Sequence, residues 1–301
     1  MKAIVLNEYG DSSHLKLTEI PEPEPGAGEI KVKVAAASIN PIDWKLRSGD
    51  YRALMPIQFP FIPGVDVSGH VVKLGSGVAH FKVGDQVLGF VKRGYAEFVT
   101  APAEAWASIP KGISLEDAAV IPLAALTGAQ LVEETANVQR EQTVLVTGAV
   151  GAVGRAAVYA AKARGARVIA GIRQRQRAEA ETLSASSVVA LDVDAELANL
   201  PMLDAVADTV GGTTLAKVLG KVRIGGVVAS TVGPPPGDQE RGVIGKGMQT
   251  HADSKRLASL AEAISAGQFK LPITKRFPLA EAGSAQRLAE AGGIGKVLLK
   301  V

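Results

Sequence analysis

The sequence predicts an α/β protein of two domains, the first β-rich and the second built on a doubly wound parallel sheet. Three observations predict it. Short β-branched runs separated by proline and glycine turns fill the first third of the chain. From about Ser114 the texture changes, and strands alternate with helices. Between Leu145 and Arg177, LVTGAVGAVGRAAVYAAKARGARVIAGIRQRQR reads as strand, glycine-rich turn, alanine-rich helix and second strand. At 301 residues, 47% apolar and 21% charged, the chain is long enough for two cores.

The elements follow in order. MKAIVL, LKLTEI, EIKVKVAAASI, GHVVKL and DQVLGF are strands, several with alternating apolar and polar residues. PEPEPGAGE, KLGSGVAHFKVGD and KRGY separate them as turns. PEPEPGAGE lies between two strands and is short, so it reads as an ordered loop rather than a linker. SLEDAAVIPLAALTGAQLVEE reads as a helix capped by Ser114, with Asp117 three residues on. Next come the strands QTVLVTG, ARVIAGI, SSVVAL, LDAVADTV and GGVVAST, with helices from Gly154 and near LAKVLGKV. Their near-continuous apolar character is that of a parallel sheet covered on both faces. SKRLASLAEAISAGQ is an amphipathic helix, and FPLAEAGSAQRLAEAGGIGKVLLKV is a helix followed by a strand.

Composition narrows the function. The 33 basic and 30 acidic residues leave a net charge of +3, so the pI near 9 reflects a small surplus and not a nucleic-acid-binding surface. Basic residues do cluster between Lys162 and Arg177, which argues for a local anion. There is no cysteine, which removes disulfides, thiol catalysis and thiolate zinc sites. MKAIVLNEYGD is no secretory signal, and AAVIPLAALTGAQLV is too short to span a membrane and is interrupted by Pro122. A cytoplasmic enzyme is the expectation.

The turn Gly148-Ala149-Val150-Gly151-Ala152-Val153-Gly154 follows a buried-looking strand and opens a helix. Glycines there permit a tight turn, backbone approach to a pyrophosphate, and close packing of helix on strand. The helix N-terminus supplies unpaired N–H groups and the positive end of its dipole. This is the context of a Rossmann dinucleotide site. Where an NAD-binding site carries an acid after the second strand, this chain reads Gly171-Ile172-Arg173-Gln174-Arg175-Gln176-Arg177. A guanidinium pairs with the 2′-phosphate of NADP, whereas a carboxylate repels it. The expected cofactor is therefore NADPH, held by Arg173 with at most one of Arg175 and Arg177.

These stretches, with AAASINPIDWKLRSG, PFIPGVDVSGHVVKLGSGVAHFKVGDQVLG, GYAEFV, LTGAQ, DAVADTVGG and GKVLLKV, resemble the medium-chain dehydrogenases/reductases. The resemblance is to their zinc-free quinone oxidoreductase (zeta-crystallin-like) and alkenal-enone reductase branch, and it runs nearly the whole chain in family order. Zinc-dependent relatives have Gly-His-Glu where this chain has Gly64-Val65-Asp66, and they have a cysteine-rich lobe that is missing here. His14, His70, His80 and His251 have no ligand-like spacing, and His70 reads as structural, so no metal is expected.

The resemblance implies hydride transfer from the cofactor to a small-molecule quinone or an α,β-unsaturated carbonyl. It places the Asn-x-x-Asp segment beside the nicotinamide, at the cleft between domains. Asn40 would then orient the cofactor or the acceptor oxygen, with Asp43 as an internal brace of that loop. Lys45 stands where many quinone reductases have Tyr, a departure toward enone and enoyl reductases. Its ammonium either donates to a developing enolate oxygen or is a surface or phosphate-binding lysine. Arg47 is similarly open. Tyr51 either lines the acceptor site, acts as general acid, or packs, and Trp44 is core or cleft wall.

By position in the family, Thr127 lies near the phosphates or the nicotinamide ribose, or simply caps a helix. Val210 and Gly211 lie under the adenosine half, Ser230, Thr231 and Val232 approach the nicotinamide, and Lys296 closes over the cofactor. The Gly233-to-Gly237 proline loop is a candidate wall of the acceptor site. Two alternatives stay open: an NADPH-binding regulatory or structural protein without turnover, and an enoyl reductase acting in trans on carrier-bound chains. The expected domains are a GroES-like catalytic domain over 1–113 with 264–301, and a Rossmann domain over 114–263. Family habit implies a homodimer, with the GGVVASTV strand pairing across a two-fold axis.

Overall fold

The computed structural model describes residues 1–235, 237–293 and 295–301. Pro236, in the proline loop expected to wall the acceptor site, lies outside them. The chain forms two compact units. One comprises residues 1–123, 252–267 and 271–301, and the other 124–251 with 268–270.

The first unit opens on β1 (Lys2–Val5) and β2 (Lys16–Glu19), an antiparallel pair. β3 (Glu29–Ser38) is followed by helix α1 (Pro41–Ser48). Then come β4 (Asp66–Leu74), β5 (Gln86–Phe90), β6 (Phe98–Pro102) and β7 (Trp106–Ser108). The 21–29 loop is ordered as expected from its length: Lys31 pairs with Glu22 at 2.7 Å, and Lys73 with Glu24 at 2.5 Å.

The Asn-x-x-Asp segment, expected as a loop, is instead the helix α1, whose two ends are set by local chemistry. Asn40 is extended, with φ −131° and ψ 155°, and Pro41 stands at the first helical position, where its missing N–H costs nothing. Gly49 ends the helix in the left-handed region at φ 85°.

Ser114 does accept a hydrogen bond from Asp117 N, at 3.1 Å, but the single helix expected there is broken. A 3₁₀ turn over Asp117–Val120 precedes α2 (Pro122–Gln130), which runs into a wider π-type turn at Leu131–Thr135. Pro122 cannot donate to an upstream carbonyl, so it begins a new helix.

The second unit continues with β8 (Thr143–Thr147), α3 (Ala152–Ala163), β9 (Arg167–Ile172) and α4 (Arg177–Ala180). β10 (Ser187–Ala190), α5 (Asp194–Ala198), β11 (Leu203–Asp208), α6 (Gly212–Val218), β12 (Val222–Ser230) and β13 (Ile244–Gly247) complete it. All six strands are parallel, in the order β10-β9-β8-β11-β12-β13, the doubly wound arrangement. β12 is hydrogen-bonded on both sides, by β11 and β13. The GGVVASTV strand therefore has no free edge with which to extend the sheet across a two-fold axis. The edge belongs to β13, a strand not expected from the sequence because its four residues, IGKG, carry almost no β signal.

The chain then returns to the first unit with α7 (Ser254–Ser265), β14 (Ile273–Pro278), α8 (Ala282–Glu290) and β15 (Lys296–Lys300). The seven-stranded sheet there has the order β14-β15-β3-β4-β5-β7, with β6 paired to the other end of β3. Its core gathers Ile30, Val32, Val67, Val87, Tyr95 and Trp106, all essentially buried, with Val297 and Leu299 from β15. The first unit thus extends past 113 to Leu123 and takes in α7, because the 117–120 turn packs on β4 and α7 packs on β7.

Candidate active site

At the end of β3 the first unit holds a buried polar cluster. Asn40 is 2% exposed and its amide is spent internally: Nδ2 donates to Asp66 Oδ2 at 2.9 Å and to the Ser38 carbonyl at 3.3 Å. Its Oδ1 accepts from Lys296 Nζ at 2.5 Å. Lys296, expected to close over a cofactor, is itself buried, and its ammonium also donates to the Ile39 carbonyl at 3.1 Å.

Asp43 sits three residues into α1 and accepts from Asn40 N at 2.8 Å, Tyr95 OH at 2.8 Å and Gly64 N at 3.3 Å. It is the brace its position suggested. Asp66 accepts in addition from Leu123 N at 2.7 Å. Burial pushes both carboxyls up, Asp43 to about 7 and Asp66 to about 6, against the lowering effect of their hydrogen bonds and of Lys296. The same burial pushes the Lys296 ammonium down, opposed by the two carboxylates, and raises the Tyr95 hydroxyl, helped by the Asp43 charge.

Lys45 and Tyr51 are brought together. The Lys45 ammonium donates to Tyr51 OH at 3.1 Å and lies 4.8 Å from the ring centroid; both residues are half-buried. Arg47 is structural: it is buried and ties α1 to Gln286 at 2.8 Å, Glu290 at 3.1 Å and the Gly10 carbonyl at 3.1 Å. Trp44 packs against the core of the unit.

In the second unit, the glycine turn joins β8 to α3. Gly148 takes φ 61°, and a Cβ on Gly154 would lie 2.1 Å from the Gly148 carbonyl oxygen. Only glycine lets the helix sit that close to the turn. Ala149 N donates to the Gly171 carbonyl at 3.1 Å and Gly151 N to Gly148 O at 2.9 Å, which shapes the turn. Ala152, Val153 and Gly154 then present the first-turn N–H groups of α3, which have no intrahelical acceptor. At the end of β9, Arg173, Arg175 and Arg177 are all exposed. Arg177 pairs with Glu196 at 2.5 Å, whereas among the described residues neither Arg173 nor Arg175 pairs with a carboxylate.

Asp208 is the residue that sequence reasoning missed here. Buried at the end of β11, it accepts from Thr147 Oγ1 and Ser230 Oγ, each at 2.7 Å, and from Gly211 N at 3.1 Å. It thereby ties together the ends of β8, β11 and β12. Ser230 presents its side chain inward to that carboxylate, while Val210 and Val232 are 43% and 45% exposed and Thr231 is half-buried. Thr127 shares a hydrogen bond with Thr250 at 2.7 Å, so its hydroxyl is tied within the unit and does not cap a helix. Among the described residues no group of three histidines or carboxylates is placed to hold a metal ion, and no helix is long and apolar enough to cross a membrane.

Two family models match the chain, the alcohol dehydrogenase GroES-like domain over residues 26–111 and the zinc-binding dehydrogenase over 183–299. The structure of the quinone oxidoreductase from Coxiella burnetii is 30% identical with a TM-score of 0.86, and the match covers 100% of this chain and 99% of that one. The chain belongs to the quinone oxidoreductase family of the medium-chain dehydrogenases/reductases.

Another member of this superfamily's fold, mycobacterial Rv1454c complexed with NADPH, is 30% identical with a TM-score of 0.85 over all of both chains. The chloroplast envelope quinone oxidoreductase homolog of Arabidopsis thaliana is 36% identical over 199 residues, 63% of this chain. The chain spans 60% of the length of that plant relative, and 52% and 60% of two further chloroplast relatives. The quinone oxidoreductase family is one of nicotinamide-dependent oxidoreductases, and the glycine turn and the basic end of β9 in this chain are a donor set suited to such a cofactor.

Proposed function

We propose that this quinone oxidoreductase family member is an NADPH-dependent reductase of a small-molecule quinone or α,β-unsaturated carbonyl, working without a metal. The observation that carries the cofactor reading is the pair of unpaired guanidinia, Arg173 and Arg175, just past the C-terminal end of β9, beside β8, whose C-terminal end leads into the glycine turn. Helix N–H groups suit a pyrophosphate, and two free guanidinia suit an additional phosphate. No carboxylate stands at Arg173 to meet a bare ribose, although Asp192 lies nearby, bonded to Gln174 N at 2.8 Å.

When bound, the nicotinamide supplies a hydride. The chain's own residues then have to bind, orient and polarise the acceptor. The Lys45–Tyr51 pair is the donor we assign to the oxygen that gains charge, with the ammonium stabilising it and the phenol able to deliver a proton. Asn40 acts from the inside: with its amide spent on Asp66 and Lys296, it positions the start of α1 on which Lys45 rides. The donor set of the buried cluster supports the metal-free reading. Asp66 faces an amide and an ammonium rather than histidine or thiolate ligands, and the chain contains no cysteine.

The test is NADPH and NADH consumption by the purified protein against a panel of quinones and short enones. NADPH-specific turnover with saturated enone products supports Lys45 as the oxyanion donor. Equal use of NADH overturns the reading of Arg173, and binding of NADPH without turnover on any acceptor overturns the reductase.

A further inference from the structure

Arg155 follows the third glycine of the turn, on the first turns of α3, and is 6% exposed. Its guanidinium reaches in two directions. Nε donates to the Val150 carbonyl at 2.8 Å, inside the glycine turn. NH2 donates to Glu179 Oε1 at 2.5 Å, and NH1 to Thr182 Oγ1 at 3.4 Å, both beyond the basic segment that follows β9. A buried arginine forms such a fork because it must satisfy its donors where no water can.

The two points it joins are the pyrophosphate turn and the 2′-phosphate end of the proposed cofactor site. By holding the Val150 carbonyl, Arg155 turns one backbone acceptor inward, away from any phosphate that approaches the N–H groups of the turn. By holding Glu179, it anchors α4, which closes the segment that carries Arg173 and Arg175. Arg177 anchors the same segment to Glu196 on α5, and Arg173 N is held by Gln176 Oε1 at 3.0 Å. The segment is thus fixed at both ends with two guanidinia left unpaired.

We infer that Arg155, through Glu179, is a positioning residue that sets the distance between the pyrophosphate turn and the arginines that recognise the 2′-phosphate. It is therefore a determinant of NADPH over NADH preference. The inference rests on the NADPH reading above.

Glu179 provides the sharper test, because its side chain is 48% exposed and its replacement leaves the fold its other supports. If Glu179 acted only by its charge, removing it near a phosphate site would tighten NADPH. If it positions the arginines, removing the ion pair loosens them and weakens NADPH. Dissociation constants of NADPH and NADH are measured by calorimetry for wild type, Glu179→Gln, Arg155→Lys and Arg155→Met.

The expected result is a rise of about tenfold in the NADPH constant of Glu179→Gln with NADH unchanged, and weakening of both cofactors in Arg155→Met. Arg155→Lys keeps the charge but not the fork, and is expected to lose the preference as Glu179→Gln does. A Glu179→Gln variant that keeps the wild-type ratio, or binds NADPH more tightly, overturns the inference. A wild type that binds NADPH and NADH equally overturns the cofactor reading, and this inference with it.

Discussion

Lys296 Nζ lies 2.5 Å from Asn40 Oδ1, a contact between the first residue of β15 and the extended residue that caps the start of α1. The same amide passes through Nδ2 to Asp66. An ammonium, an amide and a carboxylate, all buried, are thereby joined in one chain of donors and acceptors. Replacing Lys296 with Met leaves the Asp66 carboxylate buried without its cation. Such a change costs about 3 kcal/mol or more, so the variant is expected to melt well below wild type. A melting temperature within a degree or two of wild type would show that Asp66 takes up a proton in the variant at little cost.

The raised carboxyls make a prediction about pH. Asp43 and Asp66 titrate near 7 and 6 in the folded protein, above the usual range near 3.8. The folded state therefore holds these protons more tightly than the unfolded chain does. Their favourable contribution is complete below pH 4 and is lost as pH rises through 6 to 7. Asp43→Asn removes one titration. The melting temperature of that variant relative to wild type is expected to climb between pH 4 and pH 7 and then level off. A difference that is flat across this range would place the Asp43 pKa in the ordinary carboxylate region.

Lys45→Met and Tyr51→Phe address the acceptor chemistry. An oxyanion donor contributes about a hundredfold to kcat, so Lys45→Met is expected to lose that much with little change in KM. Tyr51→Phe keeps the ammonium and is expected to lose less. A Lys45→Met variant with wild-type kcat on every acceptor would return that residue to an ordinary surface lysine.

Arg173→Ala is expected to weaken NADPH by about 2 kcal/mol, roughly thirtyfold, without changing NADH, because a charge-assisted hydrogen bond is lost only where a phosphate exists. Arg177→Ala is the control. Its guanidinium is already engaged by Glu196, so its effect on NADPH is expected to be much smaller. Titration of both cofactors against both variants distinguishes these outcomes.

The glycine turn is the least forgiving element. A methyl group on Gly154 would sit 2.1 Å from a carbonyl oxygen, whereas on Gly151 it would meet the same atom at 3.1 Å. Gly154→Ala is expected to cost about 2–3 kcal/mol and to abolish cofactor binding, with Gly151→Ala milder in stability. Thermal melts and NADPH titration of the two variants rank them.

The second unit was the more legible in sequence, because its motif and its alternation of strands and helices are local signals. The glycine turn, the basic end of β9 and five of its strands stand where the pattern put them. What was not legible depends on partners distant in the chain. β13 is a strand because β12 offers an edge, not because IGKG favours extension. Asp208 became visible only once β8 and β12 were placed beside β11. Asn40 and Lys296 were each read as facing a ligand, yet their side chains meet each other, and no spacing rule links residues so far apart. The interrupted helix after Ser114 was signalled by Pro122, and capping chemistry upstream masked it.

Because β15 completes a sheet begun by β3, the first unit is assembled from both ends of the described chain. During synthesis β3 and α1 leave the ribosome long before Lys296 exists. Until then Asp43 and Asp66 have no buried cation to face, and desolvating them is unfavourable. Emergence of β15 supplies a strand and a counter-charge in one event, so the corner that carries Lys45 is sealed last.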